Sequence, residues 1–291
     1  MTMDREMQAL IDKIGSSAVV VDSPPKPPSP VPPPGSTCPK CSKSAESETH
    51  RVRDRSRDVD TFWHPECWGA YLDERDQREA EKLNARRIAE HVKQIESRFD
   101  YYMGGHSNGR DGHGVCHPPQ WPFARFDNVE FRARASKKIV SAIEKWDPAK
   151  FPTLLVSSPT GSGKSGATLA WLWRYRDQQL ARAQAGDETA RVVPFVWASG
   201  PELATARRNA SLGQEAPLIE HARDTAILII DELGFEKLTE VPFEVVDHRY
   251  RKQAVTVVTT GLRSSEFRAR YGDAMFRRLA EGGAVVEDFP E

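Results

Sequence analysis

Residues 157–168 of this 291-residue chain read SSPTGSGKSGAT, small residues and glycines that run into Lys164-Ser165. Backbone N–H groups of such a turn, and of a helix opening at Lys164, converge on one point and cradle phosphate. The cradle comprises Pro159, Thr160, Gly161, Ser162, Gly163, Lys164, Ser165 and Gly166. Lys164 suits the β- and γ-phosphates of a nucleoside triphosphate, and the Ser165 hydroxyl suits Mg²⁺. This P-loop pattern has glycine where Ser158 stands, while Gly161 and Gly163 keep the segment nearest the phosphates flexible. Further on, AILIIDE at 226–232 is an apolar run that delivers two adjacent acids at its end. Asp231 is the expected Mg²⁺ partner, and Glu232 is the expected general base that polarises an attacking water. Lys164, Asp231 and Glu232 are thus the core of a candidate ATPase site with ATP and Mg²⁺ as cofactors.

A second constellation lies near the N-terminus. Cys38-Pro-Lys-Cys41 and His64-Pro-Glu-Cys67 are two short-spaced ligand pairs separated by a loop, the pattern of a closed tetrahedral Zn²⁺ site. A module this small buries too little core to fold without its metal. Phe62, Trp63 and Trp68 are the expected packing around it. His50 is a less well spaced alternative to His64, and a redox Cys-x-x-Cys is the rival reading, although no βαβ pattern frames it. His106, His113, Cys116 and His117 form a further, weaker metal candidate in a Gly-rich stretch.

These residues need elements to position them. Residues 1–22 contain a short amphipathic helix over 3–14 or a tail. SPPKPPSPVPPPGS at 23–36 favours polyproline II and is a linker. The Cys/His module covers 37–70, and 71–120 holds a charged connecting helix followed by a loop. In that helix, mixed charges fit first a solvated surface and second a coiled-coil or DNA-contacting one. From 121 to 291, helical and strand-like segments alternate, among them FRARASKKIVSAIEKW as one helix. The strands TLLVSS, VVPFVWAS, AILIID and AVTVVTT are apolar on both faces, which predicts a parallel sheet covered by helices in an α/β domain. The net charge of −1 creates no global field for nucleic acid, so DNA contacts need local basic patches. No apolar run reaches the roughly 20 residues of a membrane span, and no signal-peptide core is present, so the expected compartment is the cytoplasm.

Residues 124–289 resemble the AAA+ helicase loaders (DnaC-like) and the transposition-helper ATPases (IstB-like). The resemblance is carried by FARFDN, SPTGSGKS, FVWASGPEL, AILIIDELG, VVDHRYRK, VTVVTTGL and RYGDAMFRRL. It implies a P-loop AAA+ core, an ATP-dependent homo-oligomer, and single-stranded DNA gripped inside the assembly. It also implies a protein partner, a hexameric replicative helicase or, alternatively, a transposase. In such a sheet the strand carrying Thr259 and Thr260 lies between the P-loop strand and the Mg²⁺-binding one, which makes both threonines candidate γ-phosphate sensors. Arg278, better than Arg277, matches the finger that reaches a neighbour's ATP, and Arg249 falls in the Asp-x-Arg of the family's helix. Arg207 and Arg208 stand where the family's helices face the single strand. The implied function is ATP-dependent loading of a replicative helicase; the alternatives are a transposition helper and a low-turnover ATP-binding scaffold.

Overall fold

A computed structural model describes residues 36–44, 50–54, 59–104, 118–210 and 213–290, with backbone only at 50–54, 59, 60 and 209. The helix expected over 3–14, nearly all of the Pro-rich stretch, the side chain of His50, and His106, His113, Cys116 and His117 lie outside the described residues. The chain forms two compact units, one up to Leu83 and one from Asn84 onward.

In the first unit, β1 (His50–Asp54) and β2 (Val59–Trp63) pair antiparallel, and α1 (Pro65–Tyr102) begins directly after them. The long charged segment expected to connect the modules is this helix, whose second half belongs to the other unit.

The second unit is a five-stranded parallel sheet. Its strands are β3 (Thr153–Ser157), β4 (Phe195–Ser199), β5 (Ile227–Leu233), β6 (Val255–Thr260) and β7 (Gly283–Glu287), in the order β4-β5-β6-β3-β7. The strand with Thr259 and Thr260 therefore does lie between the acidic strand and the P-loop strand, as in an AAA+ sheet. Successive strand residues point to opposite faces. Leu154, Val156, Ile227 and Ile229 bury against one layer: the second half of α1, α2 (Val129–Arg134), α3 (Lys137–Lys145) and α4 (Lys164–Gln184). Leu155, Leu228, Ile230 and Val258 bury against the other: α5 (Gly200–Thr205), α6 (Pro217–Asp224), α7 (Val241–Lys252), α8 (Ser264–Tyr271) and α9 (Asp273–Ala280). Both faces being covered is why the strands read as continuous apolar runs.

One expected element is corrected. FRARASKKIVSAIEKW is two helices, broken at Ala135-Ser136. The Ser136 side chain accepts from the Ile139 N–H and caps α3, while its own N–H donates to the Ser162 carbonyl at 2.9 Å. The backbone polar groups at the break are thus spent on a cap and on the phosphate loop rather than on helix continuation. Strand β7 has no counterpart in the sequence reading. It is short and partly exposed, and its strand character comes from pairing with the edge of β3. No helix among the described residues is long and apolar enough to cross a membrane.

Candidate nucleotide site and metal centre

The sheet delivers β3, β5 and β6 to one edge, the carboxyl ends where open α/β sheets bind ligands. There the loop after β3 turns through two left-handed glycines, Gly161 at φ 84° and Gly163 at φ 90°, into the first turn of α4. At Gly163 the lack of a side chain is compulsory for a second reason. A Cβ there would lie 2.5 Å from the Cβ of Ala135, the residue at which the preceding helix breaks. Ser158, which replaces the pattern's glycine, is fully buried and is not among the positive-φ residues. Its hydroxyl hydrogen-bonds that of Ser162 instead, so serine serves here without backbone strain.

Ser165 Oγ donates to Asp231 Oδ1 at 2.8 Å, which sets a hydroxyl and a carboxylate side by side at the mouth of the helix. These are hard oxygen ligands of the kind Mg²⁺ takes, and both expected Mg²⁺ residues are thereby brought together. Burial pushes the Asp231 carboxyl above its usual range, with hydrogen bonds from Thr259 and Ser165 and the Lys164 charge opposing. Burial likewise lowers the Lys164 ammonium, while Asp231 and Glu232 oppose the shift. The Lys164 amine donates to the carbonyls of Ser158 at 2.6 Å and Pro159 at 2.9 Å. A cavity of about 210 Å³ opens above these atoms, lined by Thr160, Gly161, Gly163, Lys164, Ser165, Gly166 and Glu232.

How two adjacent strand residues both serve one site is answered by a bulge. The β5–β6 register shifts between Ile230 and Leu233, and Glu232 adopts φ 56°. A regular strand would send Glu232 to the face opposite Asp231; the bulge re-aims it to the cavity wall. Thr259 holds the bulge. Its hydroxyl donates to Asp231 Oδ1 at 2.5 Å and accepts from the Glu232 N–H at 3.0 Å, standing in for the lost ladder partner. Thr260 is different: its hydroxyl accepts from the Leu262 N–H, and it is not among the cavity's lining residues.

Sequence reasoning missed three residues here. Trp121 and Phe235 line the cavity beside the phosphate loop. Glu236 is buried, accepts from the Gly234 N–H at 2.8 Å and from the Tyr271 hydroxyl, and lies 3.7 Å from Arg270. A Cβ on Gly200 would meet its Oε2 at 2.7 Å. Glu236 therefore ties together three stretches that carried the resemblance, SGPEL, DELG and RYGD. In sequence it is one acid among charged loop residues, and only its burial sets it apart.

The remaining candidates are placed elsewhere. Arg278 bonds Asp247 through Nε, with its guanidinium 5.0 Å over Phe243, whereas Arg277 is largely exposed beside Glu281. Arg249 is 1% exposed and donates to carbonyls of Ala222, Thr225 and Val255, which makes it a bracket between the C-terminal end of α6 and β6. Arg207 forks between Glu215 and Glu244 at 2.8 and 2.6 Å, a cluster that Arg223 also joins, while Arg208 is exposed.

In the first unit, the donor atoms of Cys38, Cys41, His64 and Cys67 all lie within 4.8 Å of one another. A tetrahedral Zn²⁺ about 2.3 Å from each sulfur places them roughly 3.8 Å apart, so the set fits the ion. The turn Cys38–Ser42 closes with the Ser42 N–H on the Cys38 carbonyl at 2.9 Å. His64 Nε2 sits 3.2 Å from the Ser44 carbonyl, which assigns Nδ1, 3.4 Å from Cys41 Sγ, to the cluster. Burial would raise the Cys38 thiol, but N–H groups of Cys41, His64 and Lys40 bring it down to about 6. Cys67 is pushed up to about 11 by burial and by the neighbouring sulfurs. A cation at the centre would offset that repulsion. Trp63, Trp68 and Tyr71 pack as a ring cluster with centroids 4.8 to 5.6 Å apart.

No family model and no curated protein matches this chain. Solved structures similar to it include the DnaC helicase loader, at 18% identity over 58% of this chain and 97% of that one, TM-score 0.38. Others are DnaI, at 16% identity over 55% and 86%, TM-score 0.38, and AMPPCP-bound DnaA from Aquifex aeolicus, at 16% over 57% and 50%, TM-score 0.40.

Proposed function

We propose that this chain is an ATP-dependent DNA-replication protein that binds and hydrolyses Mg·ATP and delivers a ring-shaped replicative helicase to single-stranded DNA. The ATPase part is carried by one observation: Ser165 and Asp231 meet at 2.8 Å beneath a cavity walled by the glycine turn, Lys164 and Glu232. In that arrangement the turn and Lys164 hold the phosphates, Ser165 and Asp231 hold Mg²⁺, and Glu232 takes the proton of the attacking water. The loader part is supported by the motif resemblance and by the Cys/His cluster, which is a separate device suited to gripping a partner.

A second reading, a low-turnover ATP-binding scaffold, is favoured by Arg278. Its guanidinium is engaged with Asp247 and Phe243 of its own chain. It must leave that nest before it can stabilise a phosphate on a neighbouring copy.

Two variants of the full chain, measured beside wild type, separate these readings. Glu232→Gln should bind ATP like wild type and hydrolyse it at least ~100-fold more slowly, the scale of a lost general base. Lys164→Ala should lose binding. With a hexameric helicase and circular single-stranded DNA, wild type plus ATP should raise the amount of helicase on the circles, and Lys164→Ala should not. Wild-type turnover by Glu232→Gln overturns the base assignment; normal turnover with no helicase transfer overturns loading.

A further inference from the structure

Arg207 is engaged by Glu215 and Glu244 of its own chain, and a second basic surface lies elsewhere in this unit. Between the second half of α1 and the segment 190–192 runs an open groove of about 870 Å³. It continues past Arg87 and Gly186 as a second hollow of about 400 Å³, sharing Glu90, His91 and Gln94. Its two walls are fastened by His91 Nε2 on the Ala190 carbonyl at 2.8 Å.

The helix presents rows spaced four apart, 93-97-101 and 90-94-98, to this groove, which is how one face of a mixed-charge helix becomes locally basic. Glu96 and Asp100 are not among the lining residues, and Glu90 is the one acid that lines the larger hollow. Lys93, Arg98 and Arg191 stand exposed along it, and none has an ion-pair partner among the described residues. Neighbouring Arg87, by contrast, is paired with Glu188 at 2.7 Å. Buried Ile95 and Val192 and half-buried Tyr102 form an apolar floor, and Tyr101, 56% exposed, stands edge-on to Tyr102 at 5.4 Å.

Cations with no ion pair among the described residues, beside an exposed aromatic ring and along an elongated groove, suit a chain that alternates phosphates with flat bases. An acidic peptide would use the cations but leave the exposed ring idle. We propose that this groove binds single-stranded nucleic acid, with backbone phosphates on Lys93, Arg98 and Arg191 and a base stacked on Tyr101. The inference deepens the single-strand reading above by naming where the strand lies.

The test is anisotropy of a fluorescein-labelled oligo-deoxythymidine with the full chain, with and without ATP, across a salt series. Lys93→Glu/Arg98→Glu/Arg191→Glu should lose affinity and flatten the slope of log affinity against log salt by about two, at ~0.7 per single-strand phosphate contact. Tyr101→Ala should weaken binding roughly tenfold, the size of a lost base stack, with little change in that slope. Both should bind ATP as wild type does. No binding by wild type overturns the single-strand reading together with the groove. Groove variants that bind like wild type, while Arg207→Ala/Arg208→Ala does not, overturn the groove alone. Polyglutamate that competes as well as the oligonucleotide, with Tyr101→Ala indifferent, makes this an acidic-peptide surface and overturns the assignment.

Discussion

The phosphate-loop site and the Cys/His cluster are each built on a few polar atoms, but different things hold those atoms in place. Around the first, the positions are dictated by a sheet buried on both faces: Leu155, Leu228 and Ile230 are fully buried directly behind the edge that carries the phosphate loop. Even the strained Glu232 can be held there, because Thr259 and the ladders on both sides over-determine it. Around the second, the buried apolar residues described are Cys38 and Phe62, plus a partly exposed ring cluster. There the four ligand atoms converge with little core behind them, and a bound metal would take the part that the core takes elsewhere.

On that contrast, the largest effect is expected from taking zinc away. The full chain should carry one Zn²⁺, and a strong chelator, or Cys41→Ser, should cost the first unit binding free energy on the order of 10 kcal/mol. Its Trp63, Trp68 and Tyr71 cluster should then lose its near-ultraviolet signal, while the thermal transition and ATP affinity of the second unit stay put. Protein purified without chelators that contains no zinc, or that keeps the signal without it, breaks the comparison.

A smaller effect is expected where the core itself shapes the site. Gly163→Ala combines a left-handed backbone, which disfavours a side chain by about 1–2 kcal/mol, with a collision against Ala135. Together these should destabilise the second unit by about 3 kcal/mol, overpacking adding its usual share. They should also lower ATP affinity while leaving zinc content unchanged. Calorimetry with ATP and a melting curve read both consequences; an unaffected affinity would mean the loop is softer than its packing suggests.

The smallest effect should come from Arg207. It makes two ion pairs, as Arg223 does, yet its side chain is 40% exposed and solvent screens it. Arg207→Ala should cost less than about 1 kcal/mol. A loss of several kcal/mol in a urea titration would show that surface charge, and not the buried sheet alone, sustains this unit.

Much of the candidate site is legible in the sequence alone, and the reason is local. A phosphate loop, an apolar strand ending in Asp231-Glu232 and two short ligand pairs are all contiguous in sequence, so residue type and spacing express them directly. What was not legible depends on partners distant in the chain. The break at Ser136 exists because the Ser162 carbonyl and Ala135's contact with Gly163 require it. Strand β7 exists because β3 has an edge to pair with.

The sequence by itself determined the parallel α/β architecture, the residues of the cradle, the acidic pair and the four metal-ligand candidates, since apolar periodicity and motif spacing encode these within short windows. Only the tertiary structure decided what each polar side chain does. It made Thr259 the prop of a bulge rather than a free strand tip, buried Glu236 as a node, and turned Arg249 into a bracket. It also spent Arg207 on Glu215 and Glu244 and gave Lys93, Arg98 and Arg191 no ion pair among the described residues. Charge and hydrogen-bonding capacity are written in the sequence, but whether they are already satisfied is a property of neighbours brought together from far along the chain.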